Sequence, residues 1–431
     1  MAVARIQSIA NHLSGKDNKS KLLAKNPDDI VVTVAKRTPL CKARRGAFKD
    51  ASSDELLIET MKAARENIGI DPALIGDIVV GTVLTPGAPY AARAAALTAG
   101  FPCAPFELLL TLAPADTVPV QIVNRFCSSG LMAIQSISNA IRNGEIEIGL
   151  AVGFEDMSNN PDDGAPKYAA ETMALPVGRD CTMPMGWTSE NVAGEFNISR
   201  EAMDAWAAQS MQRAEAAQKA GIFEAEIVPV TVPQKQADGS VKHVKVTRDD
   251  GIRAGTTAEG LAKIKGAFKQ WPPTQTTGGN ASQITDGGAF VLLMTRRKAQ
   301  ELHLPILAKH IATVTSGLAP RIMGIGPSVA IPKLLNQLGL TTNDIDLYEI
   351  NEAFASMMVY CVDKLGLDPS KVNVNGGAIA LGHPLGCTGA RQVATVLNAA
   401  KSRPEAKLIV TSMCIGLGMG ASSLFYNEQA L

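Results

Sequence analysis

The stretch VPVQIVNRFCSSGLMAIQSISNAI, residues 118–141, changes its hydrophobic period at a cysteine. Before Cys127, the run VPVQIV is short and β-branched, which is typical of a strand. After Cys127, aliphatic side chains recur at three- and four-residue spacing, as they do on one face of an amphipathic helix: Leu131, Ile134, Ile137 and Ile141. The stretch therefore predicts a strand, a turn that carries a thiol, and a helix.

Length and composition exclude several classes of protein. A chain of 431 residues is too long for one ordinary core, so we expect two or three domains. The 41 basic residues balance 41 acidic residues, which gives no electrostatic case for nucleic acid or an anionic membrane. The longest strongly apolar run, FELLLTLA at residues 106–113, is far shorter than the ~20 residues of a membrane span. We expect no nucleic-acid partner and no membrane span.

The cysteine pattern favours free thiols over disulfides or a metal site. The seven cysteines are scattered, odd in number and never in a C-x-x-C pair, which is typical of a reducing compartment. His383 and Cys387 are spaced like metal ligands, but no second pair completes a tetrahedral set. We therefore predict no metal.

The first 26 residues differ from the rest, because they are polar and precede the first strand-like run at Ile30. Within this leader, RIQSIANHL resembles the type-2 peroxisomal targeting signal at all four specified positions: Arg5, Ile6, His12 and Leu13. On a helix these residues form one basic edge and one apolar edge, suited to the groove of an import receptor. A mitochondrial presequence is the alternative, although only one arginine precedes residue 37.

Two segments of the chain show the same order of elements. In the first, DIVVGTVL is followed by the Cys127 unit and then by IEIGLAVGFE (residues 77–84 and 146–155). In the second, DIDLYEI and KVNVN are followed by GGAIALGHPLGCTGARQVATVLNAA and AKLIVTSMCIGLGMGASSLFY. The repetition predicts an α/β fold made of duplicated βαβ halves, with largely parallel sheets and helices between them.

Residues 156–280 have a different character and are predicted to form an inserted loop domain. They contain loop-like sequence, a helix from Ser199 to Gly221, and a hairpin around Asp238 and Gly239. We therefore divide the chain into a leader, two parts of a first half around the insertion, and a second half: 1–26, 27–155, 156–280, 281–304 and 305–431.

Three further residues join Cys127 as candidates for chemistry. Asn351 follows a strand directly, His383 lies in a turn between glycines and a proline, and Cys414 precedes three alternate glycines. Ligands bind at the carboxyl ends of the strands in α/β sheets, so we expect these side chains to share one site. Each residue alone is more often structural: Asn351, for example, could be the N-cap of the following helix.

The segments CSSGLMAI, MGWTSENVA, NEAFA, GGAIALGHPLGCTGAR and CIGLGMG occur in this order over the whole chain. Together they resemble the 3-ketoacyl-CoA thiolases, and with the leader the peroxisomal form fits best. The resemblance implies a five-layer αβαβα arrangement of the two halves and a homodimer. It implies thiolysis of 3-ketoacyl-CoA in fatty-acid β-oxidation, with CoA as a co-substrate and no tightly bound cofactor.

The resemblance also assigns roles. Cys127 would be the nucleophile that forms an acyl-enzyme, and the helix dipole behind it would favour the thiolate. His383 would be the base for Cys127, and Cys414 would be the acid and base for the second partner. His383 with Asn351, through a water, would form one oxyanion hole. The backbone N–H groups of Cys127 and Gly416 would form the other, and Ser282 in GGNASQITDGG would contact the pantetheine arm.

The chain departs from the family pattern twice. Thr82 and Cys127 are 45 residues apart, whereas the corresponding Asn351 and His383 are 32 apart. The surplus falls near PFELLLTLAPADT, residues 105–117, which is either a surface excursion or a gene-model error such as a translated intron. Phe126 stands where the family commonly has glutamine, and its ring could reshape the acyl tunnel.

Two other functions stay open at this point. One is a biosynthetic thiolase that forms acetoacetyl-CoA, which chain-length profiling would separate. The other is a non-catalytic acyl-CoA or lipid carrier on the same fold. A carrier has no need for two thiols, a histidine and an amide together.

Overall fold

The structure is a computed structural model, and it describes residues 16–102, 118–270 and 274–429. Both the predicted targeting signal (Arg5, Ile6, His12 and Leu13) and the surplus segment 105–117 lie outside the described residues. Residues 19–26, within the predicted leader, contact the rest of the protein. Lys25 pairs with Glu428 at 3.2 Å, and the backbone oxygen of Ala24 accepts a hydrogen bond from Lys309 Nζ at 2.6 Å.

The described residues contain twelve strands and fourteen α-helices. The strands are β1 (Ile30–Arg37), β2 (Cys41–Lys42), β3 (Asp77–Gly81), β4 (Val120–Val123), β5 (Ile148–Glu155), β6 (Val230–Lys235), β7 (Val241–Val246), β8 (Thr285–Thr295), β9 (Ala308–Gly317), β10 (Leu347–Ile350), β11 (Leu408–Ile415) and β12 (Met419–Asn427). The helices are α1 (Lys16–Leu23), α2 (Ser53–Asn67), α3 (Ala88–Thr98), α4 (Ser129–Arg142), α5 (Ala170–Ala174), α6 (Pro176–Asp180), α7 (Met185–Glu195), α8 (Arg200–Lys219), α9 (Ala258–Ala262), α10 (Arg296–Glu301), α11 (Gly326–Leu338), α12 (Ala355–Leu365), α13 (Ala378–Leu381) and α14 (Thr388–Lys401).

The duplication is visible in the order of the strands. The first half has the order β4-β3-β5-β8-β1, and the second half has β10-β11-β12-β9. An isolated parallel bridge between Tyr348 and Val372 lies beside β10, where β4 lies beside β3 in the first half. The segment KVNVN holds the position that VPVQIV holds in the first half, but it contributes only this bridge, because a bend and a turn occupy residues 373–375.

The prediction of largely parallel sheets is wrong. Strand β3 is parallel to β4 and β5, and β10 is parallel to β11. However, β8 and β12 run antiparallel to both of their neighbours. A tight turn joins β11 to β12, so these two strands can only pair as an antiparallel hairpin. Two antiparallel residue pairs between β1 and β9 also join the two halves into one continuous ladder.

Three separate apolar clusters produce five layers. The central cluster holds the inner faces of α4 and α14, which pack between the two halves of the sheet. A second cluster lies between the first half and its outer helices α2 and α3, and a third lies between the second half and α11 and α12. Alternation along β3 shows the sandwich directly, because Val79 faces the centre while Ile78 and Val80 face outward. The expected αβαβα arrangement is confirmed.

The inserted segment follows its predicted elements closely. Helix α8 begins after Ser199, whose hydroxyl accepts a hydrogen bond from Ala202 N, and it ends before Gly221, which has a φ of 70°. Strands β6 and β7 form the predicted hairpin around Gly239, which has a φ of 83°. Within the described part of the chain, no helix is long and apolar enough to cross a membrane.

Candidate active site

Cys127 occupies the turn between β4 and α4, as the sequence predicts. The helix begins at Ser129, and backbone hydrogen bonds from Ser128 N to Arg125 O and from Met132 N to Ser128 O close the turn around the cysteine. The cysteine is 9% exposed, so a small part of its surface reaches solvent. The backbone N–H of Gly416, from the second half of the chain, lowers the pKa of this thiol, so it faces the sulfur.

The electrostatics of Cys127 differ from the expectation based on the helix dipole. Burial raises the pKa of the Cys127 thiol to about 11, and the N–H groups of Gly416 and of Cys127 itself offset only part of this rise. Desolvation therefore outweighs the local dipoles in the unliganded protein. The resting thiol is protonated at neutral pH and needs a base to become a nucleophile.

His383 is held as a neutral imidazole with a defined tautomer. Burial, with a smaller contribution from Arg391, lowers the pKa of His383 to about 3. Its Nδ1 lies 2.6 Å from the hydroxyl of Thr388, and that hydroxyl donates a hydrogen bond to Pro384 O at 3.2 Å. Nδ1 must then carry the ring proton, because the hydroxyl has only one proton to donate. This tautomer leaves Nε2 of His383 unprotonated, so Nε2 is the ring atom that can accept a proton.

Asn351 presents its side chain to that same nitrogen. It directly follows β10, is fully buried, and its Nδ2 lies 3.3 Å from His383 Nε2. Its Oδ1 is buried and has no hydrogen-bond partner among the described residues, which leaves an acceptor available to a water or a ligand. The alternative that Asn351 caps the next helix is wrong, since α12 begins at Ala355 and Phe354 is its N-cap.

Cys414 lies near the end of β11, and it is completely buried. Its sulfur is 3.5 Å from the Met357 sulfur. Burial raises the pKa of the Cys414 thiol well above its ordinary value, and the charges of Cys127 and Cys361 raise it further. Cys127 and Cys414 are therefore close enough to interact electrostatically. Leu417 and Gly418, with φ values of 65° and 84°, form the turn that carries the Gly416 N–H toward Cys127.

The structure thus brings Cys127, Asn351, His383, Cys414 and Gly416 together where the strands end, although they come from two halves of the chain. Asn351 N donates to Ser412 O at 2.9 Å, which ties the Asn351 turn to the strand that carries Cys414. Ser282 is half-buried and lies in the loop beside His383. The backbone oxygen of the next residue, Gln283, accepts a hydrogen bond from His383 N at 3.0 Å.

The family model described as "Thiolase, N-terminal domain" matches residues 30–297, and the one described as "Thiolase, C-terminal domain" matches residues 304–427. The chain belongs to the thiolase family. It is 48% identical to the 3-ketoacyl-CoA thiolase A, peroxisomal, of Rattus norvegicus, over 98% of this chain and 97% of the relative.

Solved thiolase structures agree with the described fold. The dimeric peroxisomal thiolase of Saccharomyces cerevisiae matches with a TM-score of 0.83 and 44% identity, over 95% of this chain and 100% of that chain. The human mitochondrial 3-ketoacyl-CoA thiolase in complex with CoA matches with a TM-score of 0.78 and 33% identity, over 94% and 99% of the two chains.

Glu155 is a residue of this thiolase site that sequence reasoning missed. Its buried carboxylate accepts hydrogen bonds from the backbone N–H groups of Val83, Leu84 and Gly386, at 3.0, 2.9 and 2.8 Å. It therefore joins a loop of the first half to the turn that carries His383. Burial raises the pKa of Glu155 to about 7. The sequence feature that could have indicated this role is a glutamate at the end of the apolar run IGLAVGF, because a buried carboxylate needs hydrogen-bond donors.

Two further residues of the thiolase were also missed. Thr388, which orients His383, lies five residues after it in the segment HPLGCT. This spacing alone does not predict a contact, because the contact depends on the shape of the turn between the two residues. Arg253 has a buried Nη2 without a partner among the described residues, and burial lowers the pKa of its guanidinium. Gly251, two residues earlier, accepts a hydrogen bond from Gln283 Nε2 at 2.9 Å, which places this loop beside Ser282. Among the described residues there is no cluster of three or more side chains that could hold a metal ion.

Proposed function

We propose that the protein cleaves 3-ketoacyl-CoA with CoA to give acetyl-CoA and an acyl-CoA shortened by two carbons, as a step of fatty-acid β-oxidation. The observation that carries this proposal is the pair of thiols, Cys127 and Cys414, beside the neutral imidazole of His383. The relatives named above as 3-ketoacyl-CoA thiolases support the same activity.

In the first half-reaction, His383 Nε2 takes the proton of Cys127, and the thiolate attacks the 3-keto carbon of the substrate. The C2–C3 bond then breaks, and its electron pair moves to C2 to form the enolate of acetyl-CoA. Cys414 donates its proton to C2, which releases acetyl-CoA and leaves an acyl thioester on Cys127. The unprotonated Nε2 of His383 and the proximity of the Cys414 thiol to Cys127 support these assignments.

In the second half-reaction, the Cys414 thiolate takes the proton of an incoming CoA thiol. The CoA sulfur attacks the thioester, and collapse of the adduct releases the shortened acyl-CoA and the Cys127 thiolate. That thiolate recovers its proton from His383, so the enzyme returns to its starting state. The raised pKa of both thiols favours their protonated forms between turnovers.

Two developing oxyanions need donors. Once His383 is protonated, its Nε2–H would stabilise one oxyanion, together with a water held by Asn351, whose unpaired buried Oδ1 supports such a water. The N–H groups of Cys127 and Gly416 would stabilise the other, since both already interact with the Cys127 sulfur.

CoA would be bound as a co-substrate and not as a resident cofactor. Ser282 would contact the pantetheine arm, and Arg253 would offer its unpaired guanidinium N–H to an anionic group of CoA. The division of the chain at 1–26, 27–155, 156–280, 281–304 and 305–431 belongs to the same proposal. It is supported by β8, which pairs with β1 and β5 after the inserted segment.

The protein would act in the peroxisome as a homodimer. The name of the rat relative and the dimeric yeast structure support this assignment. Arg5, Ile6, His12 and Leu13 would bind an import receptor of the peroxisome.

The test is thiolysis by the purified full chain over short to long 3-ketoacyl-CoAs, compared with Cys127→Ala and Cys414→Ala. We expect Cys127→Ala to form no acyl-enzyme by intact-mass spectrometry. Cys414→Ala should lose turnover while Cys127 stays open to alkylation by iodoacetamide. Normal thiolysis by Cys127→Ala would refute the mechanism, and turnover of acetoacetyl-CoA alone would indicate a biosynthetic enzyme instead.

A further inference from the structure

Helix α12 places a methionine directly against Cys414. The Cys414 thiol donates a hydrogen bond to the sulfur of Met357, and the two sulfur atoms are 3.5 Å apart. Both residues are fully buried, and the mechanism above gives Met357 no role. A thioether sulfur has lone pairs but no hydrogen, so Met357 can accept a hydrogen bond and cannot donate one. The hydrogen bond therefore exists only while Cys414 carries its proton.

Two glycines of one turn hold the sulfur atoms in place. A Cβ atom on Gly324 would be 3.2 Å from Cβ of Met357, and a Cβ atom on Gly326 would be 3.1 Å from Cα of Cys414. The backbone of this turn thus lies against α12 and against β11 at the same time. Because packing this close leaves little room for either element to move, the contact between the two sulfurs is a fixed part of the core.

The hydrogen bond acts on a thiol whose other surroundings also favour the protonated form. Burial raises the pKa of Cys414, the charges of Cys127 and Cys361 raise it further, and only the N–H of Cys414 itself lowers it. Cys361 lies one turn after Met357 on α12, and burial raises the pKa of its thiol to about 12. At neutral pH the side chains of α12 therefore supply Cys414 with an acceptor and with a neutral thiol. A hydrogen bond donated by the thiol form adds to the preference for that form.

We propose that Met357 is a positioning residue that makes Cys414 a stronger base and a weaker acid. This inference rests on the proposed function. In the first half-reaction the Cys414 proton moves to C2, and the hydrogen bond to Met357 is lost. In the second half-reaction the lone pair of the Cys414 thiolate takes the proton of the CoA thiol, which leaves a CoA thiolate, and the bond to Met357 forms again. Met357 thus opposes the first proton transfer and assists the second.

The experiment times the two half-reactions separately in the wild-type chain, Met357→Leu and Met357→Ile. Both variants remove the acceptor and keep an apolar side chain of similar volume. Rapid quench and intact-mass spectrometry give the rate constant for acylation of Cys127 by 3-ketooctanoyl-CoA without free CoA. Addition of CoA to the acyl-enzyme then gives the rate constant for deacylation.

In both variants we expect deacylation to become slower, while acylation stays the same or becomes faster. The ratio of the deacylation rate constant to the acylation rate constant should fall about 2- to 12-fold, which is the effect of one hydrogen bond of typical strength. A role in packing alone would not produce opposite effects on the two steps.

Met358→Leu is the matched control, because Met358 is the next residue of α12 and is also fully buried. Its ratio should equal that of the wild type. A second measurement is the infrared S–H stretching band of Cys414, which is the band that Cys414→Ala lacks. This band should move to higher wavenumber in both Met357 variants and stay in place in Met358→Leu. Circular dichroism and alkylation of Cys127 establish that each variant is folded.

Two results would overturn the inference while leaving the proposed function intact. One is a ratio that stays at the wild-type value in both folded Met357 variants, including the case in which both steps slow by the same factor. The other is a Cys414 S–H band that does not move in either variant. Absence of thiolysis by the wild-type chain would instead refute the proposed function, and this inference with it.

Discussion

Helices α4 and α14 cross in the central layer at a contact that leaves no room for a methyl group. A Cβ atom on Gly389 would be 2.2 Å from the backbone N of Leu131 and 2.9 Å from its Cα. Both neighbours are backbone atoms, so no side-chain rotation can relieve the clash. In Gly389→Ala the two helices must separate by about 1.2 Å to restore an ordinary contact of 3.4 Å.

This separation would act directly on the reacting groups. The turn before α4 carries Cys127, and the turn before α14 carries His383. Overpacking of this kind costs about 1–3 kcal/mol of unfolding free energy. A displacement of about 1 Å between reacting groups can reduce the rate about 100-fold. We therefore expect Gly389→Ala to lower kcat by about two orders of magnitude while the protein still folds.

The assay is thiolysis of 3-ketooctanoyl-CoA, with kcat expressed per Cys127 that iodoacetamide can alkylate, together with urea unfolding. Gly194→Ala is the control, because Gly194 lies in helix α7 and no atom lies within 4 Å of its Cβ position. That variant should keep its kcat and gain up to about 1 kcal/mol of stability from helix propensity. If Gly389→Ala keeps kcat within twofold of the wild type, the reasoning about this helix contact is wrong.

Two other predictions concern buried charges. Because burial raises the pKa of Glu155 to about 7 from 4.5, its folded state binds a proton more tightly than its unfolded state. Its contribution to the unfolding free energy therefore falls as pH rises from about 4.5 to 7, by at most about 3 kcal/mol. The free energy of unfolding in urea of the wild type, minus that of Glu155→Gln, should therefore decrease from pH 4.5 to pH 8. A value that does not vary with pH would contradict this. Arg37 is fully buried and pairs with two buried carboxylates at 2.6 Å each, so Arg37→Ala should lose about 3–5 kcal/mol in the same assay. Exposed Arg297, which pairs with a carboxylate that is also exposed, is the control, and Arg297→Ala should lose less than about 1 kcal/mol.

Local sequence predicted local structure well. The change of hydrophobic period at Cys127 marks the observed boundary between β4 and α4, and Ser199 and Gly221 mark the ends of α8. These signals were sufficient because hydrophobic periodicity and helix caps act over a few residues. Strand direction was predicted poorly, because it depends on the connections between strands. Strand β8 follows the inserted segment, and β12 follows a tight turn from β11.

The candidate site shows the same division. The sequence pointed to Cys127, Asn351, His383 and Cys414 through strand ends, turns and glycines. It could not indicate that Glu155 would accept hydrogen bonds from two separate loops, because those partners lie 71 to 231 residues away. A buried glutamate is visible in a sequence, but the donors that it satisfies are not.

The sequence by itself determined the duplicated α/β halves, the inserted segment and the types of residue available for acyl transfer. The physical reason is that period, capping and turn chemistry are properties of neighbouring residues. Only the tertiary structure decided the state of those groups. Burial keeps the Cys127 thiol protonated, and the hydroxyl of Thr388 selects the tautomer of His383. Both effects depend on desolvation and on contacts between distant parts of the chain, which exist only after the halves have packed together.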